Sequence, residues 1–131
     1  MSKMHSTIRE LLVAAEQEFG AQDAFRYKVK DNGGSGKKEV KVEAKTYTQL
    51  KKDSECFSAV LAALGQQGKH IAIVGATSYS WVVAYFGTAD SGSVVVPLDA
   101  NLPEADLCEL IDRADVTTLV YDEAKAGVAQ M

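Results

Sequence analysis

Proline, cysteine and histidine occur only twice each in the 131 residues, tryptophan once, and no apolar run approaches the roughly 20 residues that span a bilayer. Each scarcity excludes something. Cys56 and Cys108 stand 52 positions apart with no Cys-x-x-Cys and no neighbouring histidine, which leaves no basis for a disulfide scaffold and suits a reducing cytoplasm. His5 is terminal and His70 follows Lys69 at the start of an apolar run, so neither supplies a visible metal site or nucleophile–base pair. The amino-terminal residues lead straight into a segment carrying Glu10, Glu16 and Glu18, with no secretory apolar core. A cytoplasmic protein is the expectation.

What the chain does have is enough apolar residue, 47%, to bury a core, together with 24% charged residues and only 12 Pro plus Gly positions. That composition folds; it is not the low-hydrophobicity, high-charge composition of a disordered segment. The net charge of -4 is unevenly spread, because residues 26–52 hold nine Lys/Arg against Asp31, Glu39 and Glu43. These cations alternate with apolar residues, as the wet face of a hairpin requires. No nucleic-acid partner is expected.

Thr7 with Glu10 forms a T-x-x-E capping box, and Ile8, Leu11, Leu12, Ala15 and Phe19 follow at helical spacing, with Gly20 placed for a left-handed cap. The first helix therefore covers residues 8–19. A period of two then sets in. Phe25, Tyr27 and Val29 alternate with Arg26, Lys28 and Lys30, and Val40, Val42 and Ala44 alternate with Lys41, Glu43 and Lys45, predicting a hairpin over 25–46. The intervening Asp31-Asn32-Gly33-Gly34-Ser35-Gly36 reads as its turn, since it lacks the phosphate-loop spacing and precedes a strand.

Thr46 with Gln49 opens a second helix over 47–64, whose buried stripe is Leu50, Phe57, Val60, Leu61 and Leu64, with Cys56 a small residue of the core or its boundary. From residue 70 to 122 the pattern is strand, helix, strand, helix, strand: His70–Val74, about Ser78–Asp90, Val94–Val96, a helix opened by Pro103 and carrying Leu107, Leu110, Ile111 and Ala114 inward, and Thr118–Tyr121. Such continuous apolar strands imply a parallel sheet with helices on both faces. The fold class is thus α/β with an antiparallel hairpin attached. Ligands of such sheets gather at the carboxyl ends of the strands, here Gly75-Ala76-Thr77-Ser78, Leu98-Asp99-Ala100-Asn101 and Asp122. The helix with Trp81, Tyr85 and Phe86 is apolar nearly all round, so those rings are assigned to the core, and Thr77 or Ser78 to its cap. Asp99, Asp112, Asp115 and Asp122 occupy element ends where turns use carboxylates routinely, so no catalytic, cofactor-binding or metal-binding residue is assigned.

The order of the blocks carries further information. Thr46-Tyr47-Thr48-Gln49-Leu50, Gly68-Lys69-His70-Ile71-Ala72-Ile73-Val74-Gly75, Ser78-Tyr79-Ser80-Trp81 through Phe86, and Gly92-Ser93-Val94-Val95-Val96-Pro97-Leu98-Asp99 together resemble the opening of AMP-forming acyl-CoA synthetases. Ile8–Leu12 and Ala24–Tyr27 are similar to the start of the long-chain fatty acid branch, while Thr77 stands where the family commonly has asparagine. The resemblance implies an amino-terminal scaffold subdomain, residues 1–131, of a larger ligase that uses ATP, magnesium and coenzyme A to activate a fatty or other carboxylic acid through an acyl-adenylate. It also implies that the phosphate loop and the catalytic lysine lie beyond residue 131, so this polypeptide alone is inactive and binds none of those cofactors. Ala124–Met131 closes no further element, so the chain is expected to pack against the rest of that domain or dimerise through an uncovered apolar patch. The alternative is a stand-alone α/β ligand-binding or protein-interaction module. Peripheral membrane contact through Lys37, Lys38 and Lys41 of the basic hairpin is compatible with the ligase reading.

Overall fold

The computed structural model describes residues 4–31 and 39–131. The elements are α1 (Ile8–Phe19), β1 (Asp23–Asp31), β2 (Glu39–Thr46), α2 (Tyr47–Ala63), β3 (His70–Val74), α3 (Tyr79–Asp90), β4 (Val94–Leu98), α4 (Glu104–Arg113), β5 (Val116–Tyr121), a 3-10 turn (Glu123–Lys125) and α5 (Ala126–Gln130). Of the proposed turn at 31–36, Asp31 is the last residue of β1 and 32–36 lie outside the described residues.

Helix starts follow the local chemistry. The Thr46 hydroxyl accepts from the Gln49 amide at 3.2 Å while the Gln49 side chain accepts from the Thr46 amide at 2.9 Å, a complete capping box. At α1 the Thr7 hydroxyl accepts from Glu10, but the Glu10 carboxylate reaches back to the amide of Ser6 instead of Thr7. Gly20 is not left-handed, with φ of -21°; its smallness serves proximity, because a Cβ there would lie 2.7 Å from the Glu16 carbonyl oxygen. Gly65, just past α2, does take a positive φ of 71°.

β4, β3 and β5 form a parallel sheet in that order, with β3 central. Ile71, Ala72, Ile73 and Val74 are all at most 2% exposed, which explains why β3 is apolar at every position after His70. The chain moves from β3 to β4 and then back across β3 to β5. Right-handed crossovers therefore place the two connecting helices on opposite faces. On one face Leu107 of α4 and Val128 of α5 close over Val74, with Leu119 against them. Ile73 and Val120 turn to the other face, where they line a small cleft with Trp81 and Ala84 of α3. The final residues are thus not featureless, as the sequence suggested: buried Val128 anchors α5 in the core.

Three further expectations are corrected. The buried residues of α3 are Ala84, Gly87 and Thr88, while Trp81, Tyr85 and Phe86 are half-buried. Gly87 lies against Phe57 and Ser54 of α2, where no larger side chain fits. On α2, Leu50, Ser54 and Leu61 share the buried face, whereas Cys56 is exposed and Val60 and Leu64 are 52% and 64% exposed. The hairpin, finally, has no purely wet face. Its register sets Phe25, Tyr27 and Val29 opposite Lys45, Glu43 and Lys41, and Arg26 and Lys28 opposite Ala44 and Val42. Directly opposed residues share a face, so each face carries the apolar set of one strand and polar residues of the other.

The inner face docks on Tyr79. Phe25 meets that ring edge-on, Tyr27 stacks on it, Lys45 lies 5.6 Å from its centroid, and the Tyr79 hydroxyl donates to the Asp53 carboxylate at 2.6 Å. Burial first, and the Asp53 carboxylate second, raise the Tyr79 phenol above the usual tyrosine value of 10.0. A phenol whose folded pKa is raised contributes stability fully below its unfolded pKa and loses it as pH rises toward the folded value. The urea midpoint is accordingly expected to fall as pH passes about 10, and to fall less in Tyr79→Phe. Equal slopes for the two proteins would disprove this assignment.

Candidate functional site

β3 sends its connection to α3 on one face, whereas β4 and β5 send theirs to α4 and α5 on the other. Divergent connections from adjacent parallel strands open a crevice at their carboxyl ends, the usual ligand position in open α/β sheets. Two clefts of about 480 and 150 Å³ occupy this place and share Gly75, Ala76, Trp81 and Asp122 as walls.

The strand-end segments singled out in the sequence converge here. Thr77, Leu98, Asp99, Ala100 and Asn101 line the larger cleft, and Ser78 lines the smaller. Asp122 joins them across 46 residues of chain: its Oδ2 accepts from the Ala76 amide at 2.8 Å, tying the end of β5 to the β3–α3 turn. Its Oδ1 is buried without a hydrogen-bond partner among the described residues. Gly75 makes this close approach possible, since a Cβ there would lie 2.9 Å from Asp122 Oδ2. Ser78, not Thr77, caps α3, its hydroxyl accepting from the Trp81 amide at 3.1 Å. Asp99 Oδ1 accepts from the Asn101 amide at 2.9 Å and so shapes its own turn.

Trp81 and Lys125 are walls that lie outside the strand-end segments, as are Ser80, Ala84 and Ala124. Trp81 was assigned to the core but is half-buried, stacked on Tyr85 at 5.5 Å between centroids, and faces both clefts. Its position three residues after the helix cap was the available signal. Lys125 reaches the larger cleft from the 3-10 turn, which no periodicity announced. His70 lies at the amino end of β3, away from the clefts; it has a partner after all, its Nδ1 standing 2.6 Å from the Ala114 carbonyl oxygen. Asp112 and Asp115 lie at the end of α4 and in the turn after it, and neither is a wall residue of the two clefts.

The cleft offers carboxylates, one ammonium, small hydroxyls and an indole ring, which is equipment for holding a ligand or a neighbouring segment. No group of three His, Cys, Asp or Glu side chains placed to hold a metal ion occurs among the described residues. Nor is any helix there long and apolar enough to cross a membrane.

Comparison with known proteins gives this arrangement a family context. The model of the family described as AMP-binding enzyme matches residues 25–130. A methyl-dioxo-octahydroindenyl propanoyl:CoA ligase of Rhodococcus jostii is 30% identical over 76 residues, which are 57% of this chain and 15% of that protein. Among solved structures, a benzoate CoA ligase from Burkholderia xenovorans superposes with a TM-score of 0.77 at 18% identity, covering 96% of this chain and 23% of the other. A Mycobacterium tuberculosis fatty acyl CoA synthetase does so with a TM-score of 0.74 at 19% identity, covering 95% and 23%. The chain thus spans less than a quarter of the length of each of these proteins.

Proposed function

This chain belongs to the AMP-binding enzyme family, and from that premise we propose that it is the amino-terminal scaffold subdomain, residues 1–131, of an ATP-dependent, AMP-forming carboxylic acid–CoA ligase. The observation that carries the proposal is the extent of the family match, which runs unbroken from the hairpin to α5 and includes every wall of the carboxyl-edge clefts. In such an enzyme the acid is converted to an acyl-adenylate with loss of pyrophosphate, and coenzyme A then displaces AMP.

The residues in hand do not fit a magnesium-bound triphosphate. The larger cleft sets Asp99 and Asp122 against the single cation Lys125, the wrong balance for a polyanion, whose binding and transfer need converging amides and cations. The scaffold role follows: the sheet and Trp81 form a wall against which further structure packs, and the 131 residues by themselves are inactive. A long-chain fatty acid is the substrate favoured by the similarity of Ile8–Leu12 and Ala24–Tyr27 to that branch. The cytoplasmic location favoured by the two unpaired cysteines belongs to the same reading.

Two assays test it. The 131-residue polypeptide is expected to show no acid-dependent exchange of pyrophosphate into ATP, and such exchange would overturn the scaffold assignment. The product of the complete reading frame is expected to form AMP and a CoA thioester from palmitate. Turnover of benzoate or acetate in its place would move the substrate class, and no AMP from any acid would remove the ligase reading.

A further inference from the structure

The parallel sheet ends in two edges of unequal character. β4, on one side, carries Pro97, which has no amide hydrogen to donate. β5, on the other, reads Val116-Thr117-Thr118-Leu119-Val120-Tyr121 and contains no charge, proline or glycine, so it has none of the side chains that blunt a free edge. Its backbone pairs only with β3 among the described residues. The outward row of amides and carbonyls is complementary to another extended backbone.

What lies beside the edge narrows the chemistry. Leu119 and Tyr121, on one face of β5, join Ile111 of α4, Val128 of α5 and Met131 around an apolar groove of about 350 Å³. Asp112 stands in the wall of this groove, Asp115 precedes the strand and Glu123 follows it. All three are exposed, and none is in an ion pair among the described residues. Residues 104–123 hold seven Asp/Glu and a single Lys/Arg, and that one, Arg113, is taken by Glu109 at 2.8 Å. Other occupants each fail on one of these features. An anionic bilayer or a nucleic acid would meet an excess of carboxylates. A docked helix would fill the groove and leave the strand backbone unpaired. Two copies of β5 laid antiparallel over their full length would set Asp115 of each opposite Asp122 of the other.

We propose that the β5 edge binds an extended basic polypeptide segment from outside residues 1–131, added to the sheet as a fourth strand. Alternate apolar side chains of that segment lie in the groove, and Lys or Arg at its ends meets Asp112, Asp115 and Glu123. The inference is independent of the ligase reading.

Fluorescence anisotropy of a labelled synthetic peptide, Lys-Val-Thr-Val-Thr-Val-Lys, titrated with the 131-residue protein tests the proposal. Saturable binding is expected, weakening as sodium chloride rises. The same peptide with Glu at both ends should bind at least about tenfold more weakly, since like charges then face each other. A version methylated at every internal amide nitrogen should not bind, because the added strand gains its affinity from main-chain hydrogen bonds. Asp112→Lys should weaken the Lys-ended peptide severalfold, whereas Glu18→Lys, the same charge change on α1, should leave it within about twofold. Circular dichroism confirms that each variant is folded. No saturable binding, equal binding of the Glu-ended or methylated peptide, or equal losses in Asp112→Lys and Glu18→Lys would each overturn the proposal. A concentration-dependent dimer in sedimentation that the peptide dissociates would assign the edge to a second copy and overturn it as well.

Discussion

Replacing Gly87 with leucine is expected to leave the chain unable to hold its native fold, and replacing it with alanine to cost about 1–3 kcal/mol of stability. An ideal Cβ at Gly87 would lie 2.8 Å from Phe57 Cβ and Cδ1 and 2.8 Å from the carbonyl oxygen of Ser54. One of those atoms is helix backbone, which cannot swing aside as a flexible side-chain end can. In an exposed helix the alanine would instead gain about 1 kcal/mol of propensity over glycine, so the steric term must exceed that gain for the sign to come out destabilising. Urea unfolding with unchanged slope and a lowered midpoint is the expected signature. A midpoint raised by Gly87→Ala would mean that α2 and α3 do not touch as closely as the structure has them. The same contact buries Ser54, whose hydroxyl has no partner among the described residues, so Ser54→Ala should raise the midpoint.

This contact shows what local pattern conveys and what it omits. The α3 segment is apolar nearly all round, which correctly announces neighbours on several sides. Which residues touch the closest neighbour is decided by distance, and at Gly87, set against Phe57 and Ser54 of α2, that distance admits no ring. Hydrophobicity alone ranked Trp81, Tyr85 and Phe86 first. The β3 strand was legible for the opposite reason: a central parallel strand is covered on both faces, so His70–Val74 needs no pairing information to be read. In the hairpin each strand's alternation was visible, but alternation within a strand does not say which residue stands across from it. The register shift between Asp23 and Phe25 and the pairing of Phe25 with Lys45 set that, and they placed the two apolar sets on opposite faces.

The site divides in the same way. That the strand ends converge follows from the β-α-β-α-β order, so Gly75–Ser78, Leu98–Asn101 and Asp122 are legible in the sequence. The hydrogen bond from Ala76 to Asp122 was not, because it joins residues 46 apart whose proximity depends on β5 pairing next to β3 and not beyond β4. The same order accounts for Lys125, which enters the cleft only because the turn after β5 folds back at that edge.

Leu107→Ala is expected to cost about 3–5 kcal/mol, a large share of the roughly 5–15 kcal/mol that holds a domain together. Leu107 is 0% exposed and forms one buried cluster with Val74 and Val128, so truncation empties a space that β3, α4 and α5 all border. Val128→Ala should cost less, about 2 kcal/mol, because two methyl groups are lost from the same cluster. The double variant should depart from the sum of the two by at least about 0.5 kcal/mol, as expected of side chains that share a cavity. The coupling is the informative quantity. If Leu107→Ala carries its full cost while Val128→Ala costs nothing and does not couple, then α5 is not seated on the sheet in solution. In that case the wall that Lys125 contributes to the larger cleft goes with it, since the 3-10 turn holding Lys125 is fixed between Asp122 and α5.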